Sequence, residues 1–185
     1  MIINQNIKLK QFNLISNFNF YSHGYKTRTR IDRSAELCIH TTAEVTKKIS
    51  VANCRVGLIT ASKFGCSGSK ESYFKQLMEL EDTQFASPKD FVQSICNIPN
   101  ALATIECNIK VFSNHFVGAG AATLTALWQA CKCVSDGVAD EMIVSTFDVI
   151  SNGQKDQLKK ELSCFSESAS SLRIQAMDNS KDACF

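Results

Sequence analysis

The sequence predicts an α/β domain, and three observations carry that expectation. Short apolar runs of the kind found in strands alternate with stretches whose apolar residues recur at helical spacing. Glycine, serine, proline and Asp-Gly steps punctuate the boundaries between them. The composition, 44% hydrophobic and 21% charged over 185 residues, suits one buried core rather than two, so residues 1–185 read as a single domain.

Taken in order, Ile7 to Ile15 alternates loosely and reads as a first strand. Asp32 stands where an N-cap is wanted, ahead of a helix in which Ala35, Cys38, Thr42, Val45 and Ile49 share one side. That pattern predicts a helix with one buried face. "RVGLITAS" at 55–62 is an apolar run suited to a strand buried on both faces. It is closed by "KFGCSGSKES", whose glycines and serines predict a loop, with a helix from about Glu71 to Glu81 beyond it. Pro88 opens a third helical stretch, which Pro99 should kink or split. A strand at 109–117, a helix from 121 ended by Asp136-Gly137, and a strand at 140–149 follow. A helix near 153–163 and a short strand at 170–176 complete the chain.

Charge and cysteine usage exclude several classes of function. Twenty basic against eighteen acidic residues leave a formal charge of +2, too little to imply a nucleic-acid partner. The densest basic stretch, "YKTRTRIDR" at 25–33, reads as a solvated loop. Nine cysteines without framework spacing suit thiols kept reduced in a cytoplasm. No apolar run approaches a membrane span, and "MIINQNIKLK" lacks a signal-peptide core. The expectation is a cytoplasmic chain with no membrane contact.

Three motifs invite functional readings and are weak. "GCSGSK" has the wrong glycine spacing for a phosphate-binding loop. "GAGAAT" at 118–123 has two glycines of a dinucleotide fingerprint, but Thr123 replaces the third; Glu141 and Asp148 are acidic partners by distance alone. Cys131 and Cys133, two apart on a helix, face different ways, and three histidines lack ligand spacing, so neither a metal nor another cofactor is expected. Structural packing is the simpler reading of those thiols.

Four ordered stretches make a more specific pattern. "IDRSAEL", "RVGLITASKFG", "SPKDFVQSICNIPNALATIE" and "DGVADEMIVSTFDV" resemble, in order and rough spacing over residues 31–148, the N-terminal half of the β-ketoacyl synthases. The resemblance implies half of a thiolase fold, a mixed five-stranded sheet with helices on both faces. Aligned back from "DGVADEM", the family's nucleophile-elbow string falls on "GAGAA", with Gly120 at the position of the reactive cysteine. In the family that thiolate, favoured at a helix N-terminus, accepts the acyl chain as a thioester. Glycine can form the turn but cannot carry an acyl group, so no catalytic residue is expected there. Cys131 lies eleven residues on, ~16 Å away along the helix at the standard rise. The assisting histidines belong to the family's second half, and His115 comes from the wrong element to replace them.

A ketosynthase-like chain without its nucleophile is similar in character to a short chain-length factor. The resemblance therefore implies a non-catalytic subunit that pairs with a full-length ketosynthase, meets acyl-carrier protein through that complex, and shapes the acyl tunnel. It places a dimer strand on Lys110, Val111, Phe112, Ser113, Asn114, His115 and Phe116. It places tunnel-wall or interface candidates on Phe91, Ile95, Ile98, Ala101 and Leu102 within the 90–105 segment. Ordinary packing competes with that assignment, because Ile95, Ile98, Leu102 and Ile105 also fall on one helix face. Two other classes stay open: a small acyl-transfer or malonyl-decarboxylating enzyme using Cys96, and a binding module for acyl-carrier protein.

Overall fold

The computed structural model describes residues 7–15, 24–25, 31–49, 54–79, 86–158 and 167–176. Among the described residues, five strands, β1 (Ile7–Ile15), β2 (Val56–Ser62), β3 (Phe112–Val117), β4 (Glu141–Val149) and β5 (Glu167–Ala176), form one mixed sheet in the order β1-β5-β4-β2-β3. β2 pairs in parallel with β3 and β4, while β5 runs antiparallel to both β4 and β1. Six helices among the described residues connect them: α1 (Arg33–Thr46), α2 (Ser67–Glu79), α3 (Pro88–Ser94), α4 (Ile98–Glu106), α5 (Ala121–Ser135) and α6 (Asn152–Leu158).

The central strands dictate the layers. Successive side chains on a strand point to opposite faces. Val56 and Leu58 of β2, with Ile143 and Phe147 of β4, join the core under α1 and α4; Ile59 and Ala61, with Met142 and Val144, join the core under α5. Both faces are therefore covered, which is why β2 is buried along its whole length. α5 buries the stripe Ala122, Ala126, Ala130, Cys133 and Val134, four residues apart at first, and its alanines let the helix lie close to the sheet.

α1 departs from the expected one-sided helix. Its residues from Ser34 to Ala43 are buried without a break, because the sheet lies on one side and α4 on another. Hydroxyls make that burial tolerable: Thr41 pairs with Ser171 on β5 and Thr42 with Ser145 on β4, at 2.5 and 2.9 Å.

Asp32 is an N-cap, its Oδ1 accepting from the Ser34 N–H at 2.8 Å. Its other oxygen accepts from the N–H and hydroxyl of Ser69 at 2.9 and 2.6 Å. This second bond corrects the expected loop: α2 begins at Ser67, inside "KFGCSGSKES", because a carboxylate from another element satisfies its first turn. Arg33 corrects the solvated-loop reading at its end, since it forms ion pairs with Glu36 and, through two nitrogens, Glu167; residues 26–30 lie outside the described residues. Pro99 splits the third helical stretch as expected, with Ile95 extended between α3 and α4. β3 starts at Phe112, three residues later than expected, and β5 starts three residues earlier, at Glu167. Residues 159–163 of the expected last helix and 80–81 of the second lie outside the described residues. Among the described residues, no helix is long and apolar enough to cross a membrane, and no group of histidine, cysteine or acidic residues could hold a metal.

Candidate functional site

Topology chooses the location. β2 leads through α2, α3 and α4 to β3 on one side of it, and β3 leads through α5 to β4 on the other. The chain thus reverses its direction of winding at β2, and the C-terminal ends of the parallel strands are where such sheets form clefts. The Ser62 carbonyl accepts from the Gly118 N–H at 3.0 Å, joining the ends of β2 and β3 just before α5 begins.

Gly120 occupies the N-cap of α5. Its φ of −47° and ψ of −24° are open to any residue, so the turn does not require glycine there. A Cβ added at this position would meet no atom within 4 Å. The chain has room for a side chain at Gly120, and it has none.

β3 lies at the sheet edge, its one described strand partner being β2. The expected dimer strand divides on inspection. Lys110 and Val111 precede the strand, whereas Phe112, Ser113, Asn114, His115 and Phe116 belong to it. Phe112 and Phe116 pack toward α5. Asn114 donates to Gln129 on α5 at 2.9 Å. Ser113 donates to the amide oxygen of Asn100 on α4, and the Asn100 nitrogen donates to Thr60 Oγ1 and the Asn114 carbonyl, both at 2.9 Å. Asn100 is 4% exposed, yet its side chain is fully engaged. It anchors the edge strand to α4, a role the sequence hinted at only through a polar residue on an otherwise apolar helix face.

His115 turns inward. Its Nδ1 lies 2.8 Å from Thr60 Oγ1 and its ring stacks on Phe147 with centroids 5.8 Å apart, while Nε2 is buried without a partner among the described residues. Burial, with Lys70 adding to it, pushes the imidazole down to about 4. A neutral, enclosed histidine at this place fits the simple reading of a packed strand residue.

The 90–105 segment is not the buried face that ordinary packing predicted. Phe91, Ile95 and Ile105 are 50%, 40% and 71% exposed. Ile98, Ala101 and Leu102 are partly buried, Leu102 against the α1 core, while Pro99, Asn100 and Ala103 supply the covered side of α4. Val117 at the end of β3, and Leu124 and Trp128 on α5, are also exposed, so α3, α4, β3 and α5 each carry an exposed apolar side chain.

Cys96 sits half-buried between α3 and α4, with Lys70 Nζ 2.8 Å from its sulfur. The other described thiols are packing groups: burial pushes Cys54 and Cys107 up to about 11, Cys66 to about 12, and Cys38, Cys131 and Cys133 upward as well. Asp148, half-buried and shifted upward by its burial, accepts from the N–H groups of Lys63 and Phe64 at 2.8 and 3.0 Å. It holds the loop after β2, and both Asp148 and Glu141, ion-paired with Arg173, are thereby engaged within the fold.

No protein-family model matches this chain, and no curated protein does. Solved structures do. The complex of the ketosynthase ApeO with its chain length factor ApeC from Xenorhabdus doucetiae matches with a TM-score of 0.71 at 12% identity, over 95% of this chain and 81% of the matched one. The chain has the ketosynthase fold, half of a thiolase fold. The ishigamide ketosynthase/chain length factor gives 0.71 at 12% identity, covering 91% of this chain and 50% of that one. A type II polyketide acyl-carrier protein in complex with its ketosynthase, AntDE:AntF, gives 0.73 at 21%, covering 88% and 52%. This chain spans about half the length of those last two, whereas the matched chain of the Xenorhabdus complex is only a little longer than this one.

Proposed function

We propose that this chain is a non-catalytic, chain-length-factor-like subunit that pairs with an active ketosynthase and shapes its acyl tunnel. The pathway class is type II polyketide or fatty-acid-like biosynthesis, polyene assembly included. The observation that carries the reading is Gly120: the fold presents the N-terminus of α5 with open space, and no sulfur stands there. The exposed apolar residues around β3 support the pairing, since an edge strand flanked by such a surface invites a partner. On this reading residues 1–185 act as one domain. Phe91, Ile95, Ile98, Ala101 and Leu102 contribute the tunnel boundary, β3 with Lys110 and Val111 before it contributes the contact, and acyl-carrier protein is met through the complex.

The test is co-expression with a full-length ketosynthase from the same source, followed by affinity purification through a tag on this chain. A one-to-one complex that condenses acyl and malonyl units, while this chain alone does not, is the expected result. Turnover by this chain alone refutes it.

A second reading, a small acyl-transfer enzyme, is favoured by one observation, the amine of Lys70 against Cys96. Mass spectrometry after incubation with acyl- and malonyl-carrier protein separates the two. A thioester on Cys96 supports the enzyme, and an unmodified chain supports the subunit.

A further inference from the structure

Lys70 and Cys96 come from different elements, the first turn of α2 and the turn joining α3 to α4, and meet with Nζ 2.8 Å from Sγ. The contact is braced around both groups. Gly65, at φ +60°, brings the loop before α2 so near that a Cβ there would stand 3.2 Å from the Cys96 sulfur. Next to it, the Cys66 thiol donates to the Ile95 carbonyl at 3.6 Å and accepts from the Ser34 hydroxyl at 3.5 Å. Farther along, Gln76 joins α2 to α3, donating to Asp90 at 2.5 Å and accepting from the Ser87 N–H at 3.0 Å.

Two thiols therefore stand near one amine, and they differ. Cys66 is completely covered, and burial pushes it up to about 12, which keeps it an unreactive packing group. Cys96 is only half-buried and has the amine directly against its sulfur.

We propose that Lys70 and Cys96 form a reversible covalent crosslink under oxidation by peroxide. In the first step the thiol attacks hydrogen peroxide: an S–O bond forms, the O–O bond breaks, and water leaves with the thiol proton, giving a sulfenic acid. Sulfenic acids condense with a neighbouring nitrogen. Lys70, having released one ammonium proton to solvent, then attacks the sulfur. An N–S bond forms, the S–O bond breaks, and the hydroxyl leaves as a second water with an amine proton. The sulfur is oxidised by two electrons, one peroxide becomes two waters, and the chain loses two hydrogens. An added thiol reverses the bond by attack at sulfur, releasing the amine.

The crosslink ties the start of α2 to the α3–α4 turn. α3 has seven residues and buries none of them. A covalent bond at its C-terminal end restrains the half-exposed Phe91 and Ile95 beside it. The chemistry does not rest on the ketosynthase partnership, and its test is independent of it.

The purified full chain, reduced and then treated with hydrogen peroxide, is measured by intact mass and tryptic mapping. The expected result is a dithiothreitol-reversible loss of two hydrogens, with cleavage after Lys70 lost and the peptides carrying Lys70 and Cys96 joined. Lys70→Arg and Cys96→Ser each abolish the joined peptide; Cys66→Ala keeps it, and mapping of the unaltered chain decides the same point if that variant fails to fold. Oxygen addition at Cys96 with cleavage after Lys70 intact overturns the proposal, as does a loss of two hydrogens carried by a Cys66–Cys96 disulfide.

Discussion

The two helices that cover the central strands from opposite faces are unequal. α1 buries eleven of its fourteen residues, α5 only five of its fifteen. Both pack on β4 and β5, yet α1 is covered from outside by α4, whereas α5 packs on strands and presents Leu124 and Trp128 outward. Among the described residues, one layer is finished and the other is not. Hydrophobic burial is the dominant favourable contribution to folding, so exposed apolar residues such as Leu124 and Trp128 mark where association recovers it.

The sharpest way to break this comparison is to make equivalent truncations on the two sides. Phe147→Ala, in the core beneath α1, removes a fully buried ring and should cost about 3–5 kcal/mol in urea unfolding. Leu124→Ala on α5, where the side chain is 68% exposed, should change stability by less than ~0.5 kcal/mol while weakening association. Equal losses for both in the isolated chain would erase the distinction.

Acidification probes the finished side next. His115 has a folded value near 4, below its ordinary 6.5, so the unfolded chain takes up the proton first. Stability should be intact above about pH 6.5 and decline as pH falls toward 4, by at most roughly 3 kcal/mol. His115→Asn should flatten that part of the pH profile of the melting temperature. A profile identical in the two proteins would remove His115 from the account.

These two probes also separate what the sequence disclosed from what it concealed. Strand and helix order was legible because each element carries its own period: the alternation in Ile7–Ile15, the unbroken apolar run of β2, the stripe of α5. The Pro99 break and the Asp32 cap were legible for the same local reason. What was hidden is long-range. The early start of α2 depends on Asp32, thirty-seven residues before Ser69. The burial of α1 all round depends on α4 and the sheet, and the anchoring of β3 depends on Asn100, whose partners lie on two strands. At Gly120 the backbone angles add what the letters could not: glycine is not needed for the turn.

Along the 90–105 segment, the expected effects on stability are smaller and those on product are larger. Phe91 is half-exposed and touches Tyr73 with ring centroids 5.4 Å apart, so Phe91→Ala should cost about 1 kcal/mol or less. In a reconstituted complex it should lengthen the products, and Ala101→Phe should shorten them. Chain-length analysis of complexes shown by melting to be assembled is the measurement; unchanged lengths for both would take this segment out of the tunnel wall.

The smallest structural effect belongs to Gly120→Cys. The backbone accepts a side chain there without contact, so melting should shift within ~0.5 kcal/mol and the new thiol should react readily with iodoacetamide. Condensing activity should remain absent from the isolated variant, because a thiol alone lacks the oriented groups that assist the reaction. Measurable condensation of acyl- and malonyl-carrier protein would show that the site needed nothing else.

The most direct measurement of the central claim is the mass in solution of this chain expressed with and without a full-length ketosynthase from the same source, by size exclusion with light scattering. The account predicts a stable one-to-one complex, with the chain alone self-associated or poorly soluble, and loss of the complex on charging the exposed apolar surface with Leu124→Asp and Trp128→Asp together. A well-behaved monomer that leaves the ketosynthase unbound, with the same behaviour in the double variant, would contradict it.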